Sequence, residues 1–444
     1  MQYTDIGKTW HKLSLITGHA QRDPDFRFTS LAHLLDVEYL RDCYESLNRN
    51  KAVGIDNVSW EDYGKNLNKN LEELVIRLKR KKYKPIPARR VYIPKNETEK
   101  RPLGISALEN KIVERGITWI LESIYEQDFL KSSYGFRPNR NAHQALKELD
   151  DLIMFQPVNH IVEADIKGFF DNVSHEKLNE FLRIRIGDTT LLNLIEKFLK
   201  AGYIDDGILT KPEAGTPQGS ILSPMLANIF LHYVLDTWFE TTVKSHVRGF
   251  CEIVRYADDF VCVVRYAEDA RRIERALHNR FNKYALELHP AKSRNFSFGS
   301  FERENAQKQQ RRANTFDFLG FTHYCGISRK GNFKVSRKTS RKKYTAKCKE
   351  LNTWLRNTRN LVKTKEWWKI LEAKLRGHYQ YYGVSENYRG VARFYDYARK
   401  AVHKWMNRRS QKRKMNWERF NKYLEHYPLP KPRIVHRFYM SPVR

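Results

Sequence analysis

The chain has 444 residues, of which 41% are hydrophobic, and Lys and Arg outnumber Asp and Glu by 81 to 51. The apolar content is enough for a substantial core, and the length exceeds one compact domain, so we expect two or three subdomains. The net charge of +30 is more than solubility requires and predicts a polyanionic partner. The five cysteines form no C-x-x-C pair, which argues against a zinc site or a disulfide framework.

Membrane insertion and secretion are not indicated either. No apolar run approaches the roughly 20 residues of a membrane span. The first residues, MQYTDIGKTWHKLS, lack the apolar core of a signal peptide. We therefore expect a soluble intracellular protein in a reducing compartment.

The N-terminal part is predicted to be helical and then to form a strand pair. Residues 30–47 and 66–83 place apolar side chains at helical spacing within a helical region 1–80. Residues 84–105 alternate like two strands around a polar turn, with prolines that suit sheet edges. A further helix is expected at about 107–127.

The middle of the chain mixes short strands with helices. IVEADI, residues 161–166, predicts a strand, and Ser174 is expected to cap the helix that follows. The run MLANIFLHYVLDTWFETTV predicts a buried helix. EIVRYADDFVCVVRY, residues 252–266, predicts a β-hairpin with Asp258 and Asp259 at its tip. The alternative for this tip is an ordinary polar turn, because Asp is a common turn residue.

The order of these elements indicates the fold class. After the hairpin come a helix over AEDARRIERALHNRFNKY and short strands over LELHP and TFDFLGFTHY. Helices and strands alternate without the regular repeat of a parallel doubly wound sheet. We therefore predict an α+β fold with helices packed on one face of a mainly antiparallel sheet.

The C-terminal quarter is strongly basic and helical. Residues 331–444 carry 31 Lys plus Arg against 7 Asp plus Glu, which accounts for +24 of the net charge. Two apolar stripes at helical spacing predict a small helical bundle in which these side chains form the core in preference to stacking on bases. The stripes are Trp367, Leu371, Leu375, Tyr379 and Tyr382, then Val391, Phe394, Ala398, Val402 and Trp405.

Two basic runs at the edges of these helices are the candidates for phosphate contacts. The runs are SRKTSRKKYTAK and NRRSQKRK. Their candidate nucleic-acid-binding residues are Arg341, Lys342, Lys343, Arg408, Arg409, Lys412, Arg413 and Lys414.

The two adjacent aspartates point to metal chemistry if a third carboxylate joins them. Paired carboxylates reduce their repulsion by sharing divalent cations, and an all-oxygen ligand set suits Mg²⁺. The best third carboxylate is Asp165, at the end of a predicted strand that can lie beside the hairpin. Two metal ions about 3.5–4 Å apart can activate an attacking hydroxyl and stabilise the leaving oxygen in phosphoryl transfer. This is the chemistry of a polymerase.

The motifs resemble those of the reverse transcriptases encoded by group II introns, the intron maturases, over roughly residues 25–435. RYADDF and VEADIKGFFDNVSHEKL are similar to the two boxes that carry the family's catalytic aspartates. RPLGI, SYGFRPNRNAHQAL, GTPQGSILSPMLANIFLHYVLD and FDFLGF match further boxes, and KLRGHYQYYGV resembles the maturase, or thumb, domain.

The resemblance implies a right-hand polymerase with fingers and palm followed by an all-α thumb. It divides the chain into a helical extension of the fingers at 1–80, fingers and palm at 81–330, a thumb at 331–425 and a basic tail at 426–444. It implies an RNA-directed DNA polymerase in a prokaryotic cytoplasm, near the nucleoid. The implied partners are an RNA template, a DNA or RNA primer, dNTPs and the intron's own RNA, and a homodimer is left open.

The resemblance also assigns site residues. Asp165, Asp258 and Asp259 become the catalytic metal ligands, with the Ile166 carbonyl as a further ligand. The cofactor is Mg²⁺, two ions, with Mn²⁺ as an alternative. The dNTP-binding residues follow in one group. They are Lys95 and Arg101 for the triphosphate, Phe170 as the gate against a 2′-hydroxyl, Gln218 near the incoming nucleotide and Lys292 beside the catalytic sheet.

Some of these residues also have a plain structural interpretation. Phe170 alone would more often be a core side chain, and Lys95 with Arg101 would be a salt-bridged or solvated pair. Gly219, after Gln218, is expected to be required sterically. Arg137, in GFRPNR, contacts either the template or the protein itself, and the sequence does not choose between them.

The sequence departs from many relatives in two respects. They continue into a DNA-binding region and an endonuclease with paired cysteines, whereas this sequence does not, so we expect the primer to come from elsewhere. Ser220 stands where Gly is frequent, with little expected effect. Two alternatives remain: a splicing-only maturase that binds RNA, and a free-standing polymerase recruited for repair or defence.

Overall fold

The computed structural model describes residues 7–94, 99–290, 293–409 and 415–439. Its α-helices in chain order are α1 (Lys8–Arg22), α2 (Val37–Ser46), α3 (Trp60–Gly64), α4 (Leu67–Lys79), α5 (Leu108–Tyr125), α6 (Ala142–Phe155), α7 (Phe169–Asn172), α8 (His175–Arg185), α9 (Thr189–Lys200), α10 (Ser223–Leu231), α11 (Lys244–His246), α12 (Ala267–Lys283), α13 (Glu302–Lys308), α14 (Arg341–Thr358), α15 (Thr364–Tyr382), α16 (Tyr388–Met406) and α17 (Trp417–His426).

The strands form three sheets. They are β1 (Ala88–Pro94), β2 (Lys100–Ile105), β3 (His160–Asp165), β4 (Tyr203–Asp205), β5 (Ile208–Thr210), β6 (Cys251–Tyr256), β7 (Asp259–Val264), β8 (Arg294–Ser297), β9 (Thr315–Phe318), β10 (Phe321–Ile327) and β11 (Phe333–Thr339). The sheet orders are β2-β1-β4-β5, β6-β7-β3-β8 and β11-β10-β9, and the second of these is called the central sheet. Apart from the parallel pair of β1 with β4, the strand pairs within these sheets are antiparallel.

The central sheet is buried on both faces, because side chains alternate between two hydrophobic clusters. Phe260 and Cys262 of β7 belong to the first cluster, whereas Val261 and Val263 belong to the second. Strand residues point alternately to opposite faces, so two packed layers produce an uninterrupted apolar run. The α+β class agrees with the structure, but the expectation that helices cover one face of the sheet is wrong.

The first cluster joins the N-terminal helices to the central sheet. It contains buried residues of α1, α2, α4 and α5, together with α8, α9, α10 and α12. The second cluster joins the opposite face to α6, the β9–β11 sheet and α14–α17. The two predicted C-terminal stripes lie in this second cluster, with Trp367, Leu371 and Val391 fully buried. They form core, as the sequence analysis predicts.

The C-terminal segment packs on the helices that precede it. The backbone N–H groups of Val435 and His436 donate to the Gly383 carbonyl over 2.6 and 2.9 Å. Leu429 and Phe438 are buried. The β10–β11 hairpin runs through residue 330, where the sequence analysis divides the chain.

Several local predictions are confirmed and some are wrong. Ser174 caps α8 by accepting from the Lys177 N–H, and the predicted buried helix begins as α10. That helix then widens into π-helical turns at His232–Asp236 and Phe239–Val243. LELHP is not a strand and makes a single bridge through Leu288. Strands β4, β5, β8 and β11 were not predicted, because the first three have only three or four residues and the fourth, FKVSRKT, is mostly polar, so each carries too little periodicity to be recognised.

No described helix is both long and apolar enough to cross a bilayer. All five cysteines are buried as free thiols. Burial raises the pKa of the Cys251 and Cys325 thiols to about 12, since an apolar surrounding disfavours the thiolate.

Candidate active site

The acidic turn joins β6 to β7 and has two residues, Ala257 and Asp258. Tyr256 pairs with Asp259 as the last pair of the hairpin, and Ala257 has φ +59°. A positive φ at the first turn residue is typical of tight hairpins, whose twist matches that of the strands. The predicted hairpin is confirmed, with one correction. Asp258 lies in the turn, whereas Asp259 is already the first residue of β7.

The third carboxylate lies at the same end of the sheet as the acidic turn. Asp165 is the last residue of β3 and pairs directly with Asp259 of β7. Residues directly opposite in an antiparallel pair have their side chains on the same face, with Cβ atoms about 4.5–5.5 Å apart. All three aspartates are partly exposed. The fold therefore places the three predicted carboxylates at one solvent-accessible end of the central sheet, where β3 ends and β7 begins. This end is called the acidic edge.

The backbone of Ile166 is oriented toward this edge. Lys167 N donates to the Glu287 carbonyl and His289 N donates to the Asp165 carbonyl, both over 2.8 Å, on either side of the Ile166–Leu288 pair. In an antiparallel ladder a pair flanked in this way points its own N–H and C=O groups to the opposite side. The Ile166 carbonyl thus faces the side of β3 on which β7 and Asp258 lie.

The donor set fits Mg²⁺, which prefers carboxylate and carbonyl oxygens. No three His, Cys, Asp or Glu side chains within the described ranges converge closely enough to form a complete metal site. The fit of these residues to Mg²⁺ rests on the backbone register, which brings Asp165, Asp259 and the turn together. The oxygen chemistry of the donors supports the same metal.

A second part of the site is formed by the loop before α10. Thr216 N donates to the Phe170 carbonyl over 2.6 Å, and Gly215 N donates to the Val173 carbonyl over 2.8 Å. Phe170 is partly buried, with its ring edge-on to that of Phe169. The Gln218 amide donates to both oxygens of Asp171 over 3.3 Å. The fold therefore joins the loop that carries Gln218 to residues 170–173, which follow Asp165 closely in the sequence.

The strand pair β1–β2 contacts this loop through two glycines. Gly104 N donates to the Gln218 carbonyl over 2.6 Å. A Cβ on Gly219, whose φ is +109°, would lie 2.5 Å from the Gly104 carbonyl oxygen, so the predicted steric requirement for glycine is confirmed. Arg101, three residues before Gly104 on β2, is exposed. Lys95 and Lys292 lie outside the described residues.

A cleft of about 730 Å³ opens beside the acidic turn, with the C-terminal helices forming its other wall. Asp258 and Asp259 lie on one side, and Lys343, Lys347 and Lys374 lie on the other. A larger cavity of about 970 Å³ is lined by α4, α9 and the segment after α4, and none of its lining residues belongs to the acidic site. The smaller cleft is the one that contains the candidate chemistry.

His378 also lines this cleft, and its presence there was not predicted from the sequence. It is 7% exposed and stacks on the Phe394 ring at 3.7 Å. Burial, with a smaller contribution from Lys347, lowers the pKa of His378 to about 3. The imidazole is therefore neutral at physiological pH.

The predicted basic residues divide into two groups. Arg341, Lys342 and Lys343 are exposed in the first turn of α14, and Arg408 is exposed after α16. Arg409 is partly buried, donates to the Val362 carbonyl and lies over the Trp367 ring at 5.9 Å. Lys412, Arg413 and Lys414 lie outside the described residues.

Arg137 requires a correction as a nucleic-acid-binding residue. It is 7% exposed and pairs with Glu126 at 3.0 Å. It also donates to the carbonyls of Leu130 and Ser133. Its donors are directed into the protein, so the structural alternative is the one that fits.

Glu114, a buried acid in α5, was also not predicted from the sequence. It is 3% exposed and accepts from Ser106 Oγ over 3.0 Å and from Ile221 N over 2.8 Å. Burial is the largest influence on the Glu114 carboxyl and raises its pKa. An acid within the apolar run KIVERGITWI is the signal that could have identified it. Its position anchors the loop that carries Gln218.

Comparison with known proteins identifies a family over this part of the chain. Residues 93–323 match the family model described as "Reverse transcriptase (RNA-dependent DNA polymerase)". The match includes the three aspartates, Phe170 and the loop before α10. It thus spans the central sheet and the candidate site.

Individual relatives are similar over parts of the chain. "Group II intron-encoded protein LtrA" of Lactococcus lactis subsp. cremoris is 39% identical over 224 residues, which are 50% of this chain and 37% of that protein. "Protein YkfC" of Escherichia coli (strain K12) is 34% identical over 282 residues, 55% of this chain and 73% of that protein. "Nuclear intron maturase 2, mitochondrial" of Arabidopsis thaliana is 27% identical over 180 residues, 32% of this chain and 24% of that protein. The match to LtrA covers well under two thirds of that relative's length.

Proposed function

The chain belongs to the group II intron reverse transcriptases, a family of RNA-dependent DNA polymerases, and we propose that it extends a primer with dNTPs on an RNA template. The observation that carries the proposal is the register that sets Asp165 opposite Asp259, next to the turn that holds Asp258. Three oxygen donors at one accessible sheet edge suit two-metal phosphoryl transfer.

The roles of the site residues follow from their positions. Asp165, Asp258, Asp259 and the Ile166 carbonyl would hold two Mg²⁺ ions, or Mn²⁺ in their place. When bound, such ions supply activation of the primer hydroxyl and stabilisation of the leaving oxygen. The carboxylates contribute negative charge that draws the ions to the sheet edge, and the turn keeps the two neighbouring aspartates at that edge.

The nucleotide would lie between the acidic edge and the strand pair β1–β2. Arg101 and Lys95 would bind the triphosphate through charge-assisted hydrogen bonds. Phe170 would exclude an rNTP, because a ring beneath the sugar leaves no room for a 2′-oxygen. Gln218 would contact the nucleotide from the loop in which Gly219 packs against Gly104. Lys292 would also bind the dNTP.

Primer and template would occupy the cleft of about 730 Å³. In this arrangement β1–β2 and the helices before them are the fingers, the central sheet is the palm and α14–α17 are the thumb. Cations at a helix N-terminus are disfavoured by the helix dipole, yet α14 begins with Arg341, Lys342 and Lys343 and has no acid in its first turn. A nucleic-acid phosphate at this end would offset that repulsion.

A second activity is favoured by the charge of the C-terminal quarter. Its excess of 24 positive charges suits a structured RNA held through phosphates and shape. We propose that the chain binds its intron RNA and assists splicing. A polymerase recruited for repair or defence would share the same site, and intron RNA domains flanking the gene would distinguish the two.

The test is primer extension on an RNA template with dNTPs and Mg²⁺, comparing the wild type with Asp258→Ala. Extension by the wild type alone supports the assignment. Equal extension by the variant rules out the acidic turn as the catalytic site. If neither protein extends the primer but both bind RNA tightly, the splicing-only maturase is the better interpretation.

A further inference from the structure

A fully buried ion pair lies behind the acidic turn. Arg255, two residues before Ala257, and Asp236, in the first π-helical segment after α10, both have fully buried side chains. Arg255 Nε donates to one Asp236 oxygen over 2.7 Å, and Nη2 donates to the other. This two-pronged geometry is specific to a guanidinium facing a carboxylate.

The remaining donors of Arg255 are also satisfied. Nη1 donates to the Asn228 side-chain oxygen over 3.1 Å and to the Ala257 carbonyl over 3.0 Å. Nη2 also donates to Ser133 Oγ over 2.7 Å. A guanidinium has five N–H groups, so every donor of this buried side chain has a protein partner.

The partners come from three separate segments that meet at the turn. Asn228 also donates to the Gly135 carbonyl over 2.8 Å, and a Cβ on Gly135 would lie 2.3 Å from Ala257 N. Tyr134 N donates to the Arg255 carbonyl, and Arg255 N donates to the Ser132 carbonyl, both over 2.8 Å. The segment before α6, the helix formed by α10 and the π-helical turn that follows it, and the hairpin are thus joined through Arg255.

We propose that Arg255, held by Asp236, is a positioning residue for the metal-binding aspartates, an inference that rests on the proposed polymerase function. Its guanidinium restrains the Ala257 carbonyl, and Ala257 has a positive φ that an L residue adopts at a cost. Because Ala257 precedes Asp258 directly, the peptide that Arg255 holds sets where both aspartates lie.

Energetics favour positioning over stability as the role of this pair. Desolvation offsets most of the attraction in a buried ion pair, and apolar residues of similar volume are often as stable. What an apolar pair cannot supply is a directed bond to the Ala257 carbonyl. Removing the pair should therefore affect the metal site more than the free energy of unfolding.

The test uses the double variant Arg255→Met/Asp236→Leu, which leaves neither charge buried without its partner. It also uses Arg255→Lys, which keeps the positive charge but cannot make the two-pronged contact with Asp236. The control is Arg337→Met/Asp150→Leu, because Arg337 and Asp150 form an Arg–Asp pair outside the acidic turn that is buried to the same extent. Each protein is assayed for the Mg²⁺ dependence of single-turnover primer extension, for RNA affinity and for thermal unfolding.

Loss of a group that orients metal ligands reduces metal affinity or activity by about 10- to 100-fold. We expect the Mg²⁺ midpoint of the Arg255 double variant to rise at least about 10-fold, with RNA affinity unchanged. The midpoint of Arg255→Lys should lie between those of the wild type and the double variant. The control should keep the wild-type midpoint. An unchanged midpoint in the folded double variant, or an equal shift in the control, overturns the proposal.

Binding of Mn²⁺, followed by electron paramagnetic resonance of the free ion, separates this inference from the proposed function. If the wild type extends no primer but binds Mn²⁺ at a site that Asp258→Ala removes, the polymerase assignment fails. Weaker binding by the Arg255 double variant then supports the positioning role, and equal binding overturns it. If the wild type does not bind Mn²⁺ at these aspartates, both proposals are wrong.

Discussion

Asp165 lies directly opposite Asp259 in the antiparallel pairing of β3 with β7. The two residues are far apart in the sequence, and each begins or ends its strand. Because the pairing places both side chains on one face at one end of the sheet, it defines the candidate catalytic edge.

Asp165→Asn should reduce primer extension by about 100-fold or more, because a neutral amide cannot replace a charged ligand whose contribution is several kcal/mol. The control is Glu287→Gln, a nearby exposed carboxylate paired with Lys167 at 3.0 Å. A surface ion pair contributes little, so this variant should keep near-normal rates. Single-turnover rates check both variants, and similar losses in the two would contradict a specific role for Asp165.

Phe170→Ala should raise incorporation of rNTPs relative to dNTPs by about 10-fold or more, since the loss of a steric barrier in a pocket changes discrimination by about 1–3 kcal/mol. The control is Phe155→Ala, which removes a ring that is 71% exposed. The ratio of kcat/KM values for the two nucleotides is the measurement. An unchanged ratio would show that Phe170 is not the gate.

Gly219→Ala should reduce kcat/KM for dNTPs by about 10- to 100-fold, because even a small displacement of a positioning group is costly. The added methyl would lie 2.5 Å from the Gly104 carbonyl oxygen and force the Gln218 loop away from β2. Gly207→Ala is the control, since Gly207 has φ +84° but open space around its Cβ position. Both variants carry the backbone strain of a left-handed residue, so a difference between them isolates the clash.

Replacing Lys343, Lys347 and Lys374 together by Gln should flatten the salt dependence of primer–template binding. Each phosphate contact on a duplex contributes about 0.9 to the slope of log affinity against log salt, so the slope should fall by about two to three. Lys79, Lys84 and Lys211, around the larger cavity, provide a control with the same loss of charge. Equal flattening in both variants would mean that the cleft is not the main binding surface.

His378 should make the protein less stable in acid. Burial lowers its pKa to about 3, below the value of about 6.5 in the unfolded chain. The unfolded state therefore binds the proton first, and the contribution is complete above pH 6.5 and lost as the pH falls towards 3. The predicted slope is about 1.4 kcal/mol for each pH unit within this window.

His378→Phe tests this slope, because it keeps a ring against Phe394 and removes the titrating group. The loss of unfolding free energy between pH 7 and pH 5 should be about 2 kcal/mol smaller than in the wild type. Tyr382→Phe removes a polar atom from the same wall without removing a group that titrates in this range. Chemical denaturation at both pH values is the measurement, and identical losses in wild type and His378→Phe would refute the effect.

Local patterns were sufficient for elements that are long, periodic or marked by turn residues. The hairpin of β6 and β7, the strand β3 and the Ser174 cap follow from short stretches whose signals are local. The segment LELHP and the short strands β4, β5, β8 and β11 were misjudged, because pairing partners elsewhere in the chain decide whether three to seven residues form a strand. Partners elsewhere in the chain also decide which faces of a sheet the helices cover, so the expectation of helices on one face of the central sheet was wrong.

The sequence by itself determined the family resemblance and the identity of the three aspartates, since these depend on residue type and order. Only the tertiary structure decided what the charged residues around them do. Glu114 and Arg255 are ordinary charges in the sequence, yet each is buried and bonded to a residue far away in the chain, Ile221 for Glu114 and Ser133 for Arg255. A buried charge is tolerated only where remote groups supply its hydrogen bonds. That information arises when the segments pack together, and no local pattern contains it.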